Sequence, residues 1–249
     1  MCASGNAHVT ADTEIDVVGM ISRSGNATIS PNPTVGASYL SDPLAYLTPP
    51  TNPYPSGCTN DVSVSANNTL TIGPGCYDSV SISSNATLTM TAGNYRITDV
   101  SASGNSNLIM ATGLYFIDGG SFSVSGNANL AATNVTIYVE DGDFNMSGNG
   151  VLAITAPTTG PYAGMMLWMG PSNVSTITLS GNSSLATTGT IYGPLSYLSL
   201  SGNGSATVLN AQFIVNTVGI SGNGTFTQNF DEDSVFGGSG GNGTVSLDE

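Results

Sequence analysis

Apolar residues recur along this chain at fixed distances from a short Ser-Gly-Asn motif. The motif, or a close variant, places an Asn at positions 6, 26, 67, 85, 105, 127, 149, 182, 203 and 223. Three residues after the Asn the side chain is apolar in every repeat, as in Ile29, Leu70, Leu130 and Leu185. Five residues before it the side chain is again always apolar, as in Val62, Phe122 and Leu198. Three before it, only Arg23 departs from a column that elsewhere carries residues such as Val64, Val124 and Leu179. The residue between those last two columns is usually Ser, Thr, Gly or Asn. A period of two on both sides of a three-residue corner is strand patterning. Helix is excluded by that period, by the β-branched content and by Gly at the corner. Gly and Asn both tolerate the positive φ that a tight corner requires.

The spacings between successive Asn are 20, 41, 18, 20, 22, 22, 33, 21 and 20. A period near twenty signals a solenoid, and the two long gaps signal insertions. A second apolar run follows many corners, as in LYFI at 114–117, VTIYV at 135–139 and FIV at 213–215. Each coil therefore holds about three short strands. The predicted fold is all-β: a right-handed parallel β-helix of about ten coils, its hand taken from the general crossover preference. At about 4.8 Å per coil the rod would be roughly 45–50 Å long. Stacked corners predict an amide ladder through Asn26, Asn67, Asn85, Asn105, Asn127, Asn149, Asn182, Asn203 and Asn223.

One β-helix domain is expected over residues 1–230, followed by an acidic, Gly-rich tail or cap over 231–249. Residues 1–30 read as the first coils, with Arg23 a flaw in the core column. Residues 31–57 are Pro-rich and carry no repeat, so they read as an excursion lying along or capping the side of the helix. Residues 156–176 form a second insertion whose AGMMLWM run reads as a buried strand. In the tail, Val235 and Phe236 would cover the last coil, since open solenoid ends need caps.

Charge narrows the function. The chain has 16 Asp and Glu against 2 Lys and Arg, a net charge of −14, and both cations are Arg. Nothing can neutralise phosphates, which argues against nucleic acid and anionic membrane surfaces. No apolar run approaches the ~18 residues of a membrane span. Charged residues are 7% of the chain, so Ser, Thr, Asn and Gly must cover the surface. Cys58 and Cys76 are 18 residues apart, about one coil, so either a disulfide between neighbouring coils or two separate thiols would fit. The disulfide is the expectation, and it leaves Cys2 over.

Catalytic chemistry is thin. β-Helix enzymes that cleave acidic polysaccharides need clustered carboxylates or bases with cations to neutralise uronates. Here Asp61, Asp78, Asp99 and Asp118 occur once per coil at corners, as turn residues do. The densest acidic group is Glu140, Asp141 and Asp143, whose oxygens would suit a hard cation such as Ca²⁺, although the spacing is not that of an EF-hand. Thr-x-Thr, the pattern of a flat ice-binding face, occurs at 69–71 and 87–89 and then stops. The many Asn-x-Ser/Thr sequons follow from the corner motif rather than from glycan attachment.

The repeated SGNAT, PGCY at 74–77, DPLAYLTPP at 42–50 and GPYAGMMLWM at 160–169 before SGNSSLATTGTIYGP together resemble the C-terminal region of bacterial TadG-like proteins. The similarity spans roughly residues 1–227. These proteins accompany Tad/Flp pilus systems, so the resemblance implies a bacterial envelope or surface location. It also implies partners among pilus or envelope proteins, and it carries over no catalytic residue. The expectation is a non-enzymatic, extracellular structural or adhesive module with no cofactor, able to pack against glycans or copies of itself. The alternatives are an ice- or glycan-binding β-helix and a polysaccharide-degrading enzyme.

Overall fold

In the computed structural model the described residues are 1–11, 14–181, 185–202, 207–223, 226–228, 234–237 and 246–247. They form a parallel β-solenoid of about ten turns, with no α-helix among them. Each regular coil has three faces. A pre-corner strand such as Phe122–Val124 leads into the Ser-Gly-Asn corner. A post-corner strand such as Asn129–Ala132 leaves it, and a third strand such as Val135–Val139 closes the turn. Register holds from coil to coil: Leu88, Leu108, Leu130 and Leu152 align in sequence up the post-corner face.

The corner explains the repeat. Gly104 and Gly126 sit at φ of 72° and 70°, and a Cβ on Gly104 would lie 2.8 Å from the Ser84 nitrogen of the coil below. Glycine removes both the torsional penalty and that clash. Ala66 and Ser84 hold the same corner position at φ of 61°, so a small L-residue is tolerated at some cost. The Asn backbone N–H then reaches down to the coil below, as from Asn105 to the Ser84 carbonyl at 2.7 Å.

The inward columns make one continuous core from Val62 to Val218. Like side chains stack in it: Phe122 on Phe144 at 5.3 Å and Tyr95 on Tyr115 at 4.9 Å between ring centroids. The two tyrosine hydroxyls offset the cost of their burial by donating to the carbonyls of Thr91 and Ala111.

The order of the coils differs from the order of the chain. Residues 1–36 are not the first coils of the rod. Cys2 and Ala3 pair in parallel with Gly219 and Ile220, and on their other side with Ser22 and Arg23. The N-terminal coils therefore stack on the C-terminal end, and the coil of Asp61–Val64 is the opposite end. Residues 1–36 build their own small core from Met1, Ala3, Ile15, Val17 and Ile29. The strand Ser246–Leu247 joins this end by pairing with Asp16–Val17, which pairs in turn with Thr34–Val35.

Arg23 then has a physical reason. It stands in a core column but on the outermost turn, exposed, with Ala3 beneath it. An inward-column charge on a terminal coil disfavours the docking of another sheet edge.

Because the chain finishes two coils at one end and resumes at the other, residues 37–57 must run the length of the solenoid. This strap lies along the third face. Tyr192 donates its hydroxyl to Asp42 Oδ2 at 2.7 Å, and Leu44 is buried with Phe116, Tyr138, Trp168 and Tyr192. Burying a side chain such as Leu44 contributes roughly 1.5–3 kcal/mol. The strap also explains AGMMLWM. Met166, Leu167 and Met169 face the solenoid core, while Met165 and Trp168 face the strap, so Met165–Met169 is buried on both sides. That strand is a rung of the solenoid, paired through Leu167–Met169 with Ile137–Val139 and bulged at Met165–Leu167, and the true insertions are the loops either side of it. Val235 and Phe236 do not cap the last coil. They close over this same face, with the Phe236 N–H donating to Thr190 Oγ1 at 2.8 Å.

Candidate functional site

The amide ladder runs along one exposed edge. Each Asn Nδ2 donates to the Oδ1 of the coil below: Asn85 to Asn67 at 3.1 Å, Asn105 to Asn85 at 3.1 Å, Asn127 to Asn105 at 3.0 Å and Asn149 to Asn127 at 3.3 Å. Asn182 and Asn203 lie outside the described residues. Beyond them the ladder resumes in the same direction across the meeting of chain ends. Asn6 donates to Asn223 at 2.5 Å, and Asn26 donates to Asn6 at 3.0 Å. The ladder satisfies amides with amides, which is a structural use of Asn.

Cys58 and Cys76 form a disulfide with 5.1 Å between Cα atoms. It pins the lower end of the strap to the second regular coil. A loop of this length is worth about 3 kcal/mol through the unfolded state. Cys2 is free and exposed. Thiol labelling of the native protein without reductant should therefore modify Cys2 and spare Cys58 and Cys76; labelling of either of the latter would contradict the bridge.

Arg96 is the residue that the sequence pattern missed. It lies beside Cys76 in the sheet, pairs with Asp118, and donates through Nη1 to the carbonyls of Tyr54 at 2.8 Å and Ser56 at 2.6 Å. One guanidinium thus joins strap to solenoid. The available signal was its rarity: it is one of two cations in the chain, and the other is Arg23.

The carboxylates gather on the edge between the third and pre-corner faces. Asp61 accepts from Ser79 Oγ at 2.6 Å, Asp99 from the Ser121 N–H at 3.1 Å and Asp143 from the Thr176 N–H at 2.9 Å. These are bonds between neighbouring coils. Asp118 and Glu140 follow the paired residues Ile117 and Val139 on adjacent coils, and their carboxyls interact. Among the described residues no group of three His, Cys, Asp or Glu is placed to share a metal ion. Glu140 turns to Asp118 and Asp143 to the next coil. Asp231, Glu232 and Asp233 lie outside the described residues.

Partial desolvation of its carboxyl, followed by the bond and charge of Asp118, raises the Glu140 pKa above its ordinary 4.5. Burial, then Glu140 and Asp141, pushes the neighbouring Tyr138 hydroxyl up to about 12. A carboxyl with a raised folded-state pKa costs stability when ionised, and the cost disappears as pH falls toward the unfolded value. Glu140→Gln should therefore raise the melting temperature slightly at neutral pH and lose that advantage near pH 4.5. An unchanged or lower melting temperature at neutral pH would show that the Arg96 attraction outweighs these effects.

The post-corner face is different in kind. None of its described residues is Asp, Glu, Lys or Arg. Thr-x-Thr occupies two rungs at Thr69–Ile72 and Thr87–Met90. The next three carry Asn107 and Ile109, Asn129 and Ala131, then Val151 and Ala153. The Thr lattice is thus interrupted where the face becomes apolar.

Strapped, disulfide-pinned and built on parallel rungs, the molecule belongs to the class of β-solenoid proteins. A family described as a domain of unknown function, DUF7305, matches residues 49–234, and the chain belongs to that family. No curated protein and no solved structure matches it.

Proposed function

We propose that the chain is a non-enzymatic structural or adhesive module, carried outside the cell on a bacterial surface and able to self-assemble. The observation that carries this reading is the double fastening of the rod. A strap clamped by Arg96 and closed by the Cys58–Cys76 disulfide lies along a continuous apolar core. A structural disulfide persists in an oxidising compartment. Lysine is absent and the outward columns are mostly Ser, Thr and Asn, which suits an exposed, weakly interacting stalk. The resemblance to TadG-like proteins supports partners among pilus or envelope components.

Immunogold imaging of intact native cells tests this. Label on the cell exterior, on or beside filaments, is expected. Label confined to the cytoplasm, with Cys58 and Cys76 reduced, would overturn it.

A further inference from the structure

The post-corner face is the long side of the rod that carries no Asp, Glu, Lys or Arg among its described residues. The carboxylates of the regular coils lie on the edge away from it: Asp61, Asp78, Asp99, Asp118, Glu140, Asp141 and Asp143. The strap covers the third face. The terminal turn carries Arg23 in its core column, which opposes growth end to end. At its centre the post-corner face exposes Ile109, 40% accessible, and Val151, 55% accessible, around Ala131 and Ala153. Thr and Asn flank them. An apolar centre with a polar, uncharged rim is the anatomy of a protein interface.

We infer that two copies pair laterally through this face, with rods antiparallel and the two-fold axis at the rung of Ala131. This deepens, and rests on, the self-assembling part of the proposed function. A two-fold in the plane of the interface reverses the rungs and preserves position along the strand. It sets Ile109 of one copy over Ala153 of the other, a large residue against a small one, and brings Ala131 to Ala131. Both acidic edges stay on the outside, so a chain of net charge −14 approaches its copy by its uncharged side. About seven rungs overlap, at about 4.8 Å each and about 13 Å wide, or roughly 450 Å² of plan area per copy. Standard interfaces bury about 800 Å² a side, so the dimer is weak and reversible. Residual repulsion between the copies makes it tighter as salt is added.

Sedimentation equilibrium of the full chain over concentration should show a monomer–dimer equilibrium that shifts toward dimer as sodium chloride rises. Ala131→Asp should abolish the dimer with an unchanged circular dichroism spectrum. Ser63→Asp, which adds the same charge on the pre-corner face, should leave it nearly intact. In a Cys2→Ser background, Ala131→Cys should cross-link two chains on mild oxidation, because that residue faces itself. A wild type that stays monomeric at about millimolar concentration while Ala131→Cys fails to cross-link overturns the pairing. So does a dimer indifferent to Ala131→Asp, or a monomer whose face binds particles of uncharged polysaccharide instead. These outcomes leave the surface location untouched, since imaging on cells reports it separately.

Discussion

Leu130→Asp should leave the chain unable to fold. Leu130 is 1% exposed and lies in register between Leu108 and Leu152, midway along the core. Loss of a buried leucine alone costs about 2–5 kcal/mol. A carboxylate there adds an unpaired charge costing several more. No cation can reach it: Arg96 is engaged by Asp118 and the strap, and Arg23 is on the terminal turn. The sum rivals the whole stability of a typical domain, about 5–15 kcal/mol. Thermal unfolding followed by circular dichroism should show no cooperative transition, whereas Leu130→Ala should melt cooperatively at reduced temperature. A Leu130→Asp protein that melts within a few degrees of the wild type would break the column assignment.

Deleting residues 1–36 should have the next largest effect, and at the far end of the chain. The deletion removes the core of Met1, Ala3, Ile15, Val17 and Ile29. It also bares Val218, Ile220 and the strand edge at Gly219–Ile220 on which Cys2 and Ala3 pair. Solenoid stability is close to a sum of neighbour terms, so losing this interface costs several kcal/mol, or about 10 °C. The open edge should also promote aggregation. Hydrogen exchange locates the damage. Amides of 218–222 should lose protection while those of 61–72 keep theirs. The reverse pattern would mean that the N-terminal coils stack beside residue 61 after all.

The cross-section of this molecule was legible in the sequence, and its connectivity was not. Val62, Phe122 and Leu130 recur at fixed distances from the corner because each must point inward, so the columns could be read directly. The spacing of Cys58 and Cys76 revealed neighbouring coils for the same reason. Coil order escaped because every Ser-Gly-Asn corner is equivalent, and nothing in the motif of Asn6 distinguishes Asn223 below it from Asn67. Two signals existed. The gap from Asn26 to Asn67 is long enough for a strap, and Arg23 marks a terminal turn rather than a poor one. The strap's own contacts, Asp42 with Tyr192 and Arg96 with Tyr54 and Ser56, join residues 150 and about 40 positions apart. Such contacts depend on the assembled face, and local periodicity carries no trace of them. The acidic group at Glu140 shows the opposite limit. Glu140 and Asp143 are three positions apart in sequence, yet Glu140 lies by Asp118 while Asp143 accepts from Thr176.

The chain closes on itself, its N-terminal coils seated on its C-terminal end. Cys2 lies directly beside Gly219 in the sheet, and the Tyr197 hydroxyl lies over that glycine. A Gly219→Cys, Tyr197→Ala double variant places a second thiol next to Cys2 with room for it. Mild oxidation followed by peptide mapping should yield a 2–219 disulfide within a single chain, alongside the native 58–76 bridge. Two thiols that stay free, or a 2–219 link found only between chains, would contradict the closed order of the coils.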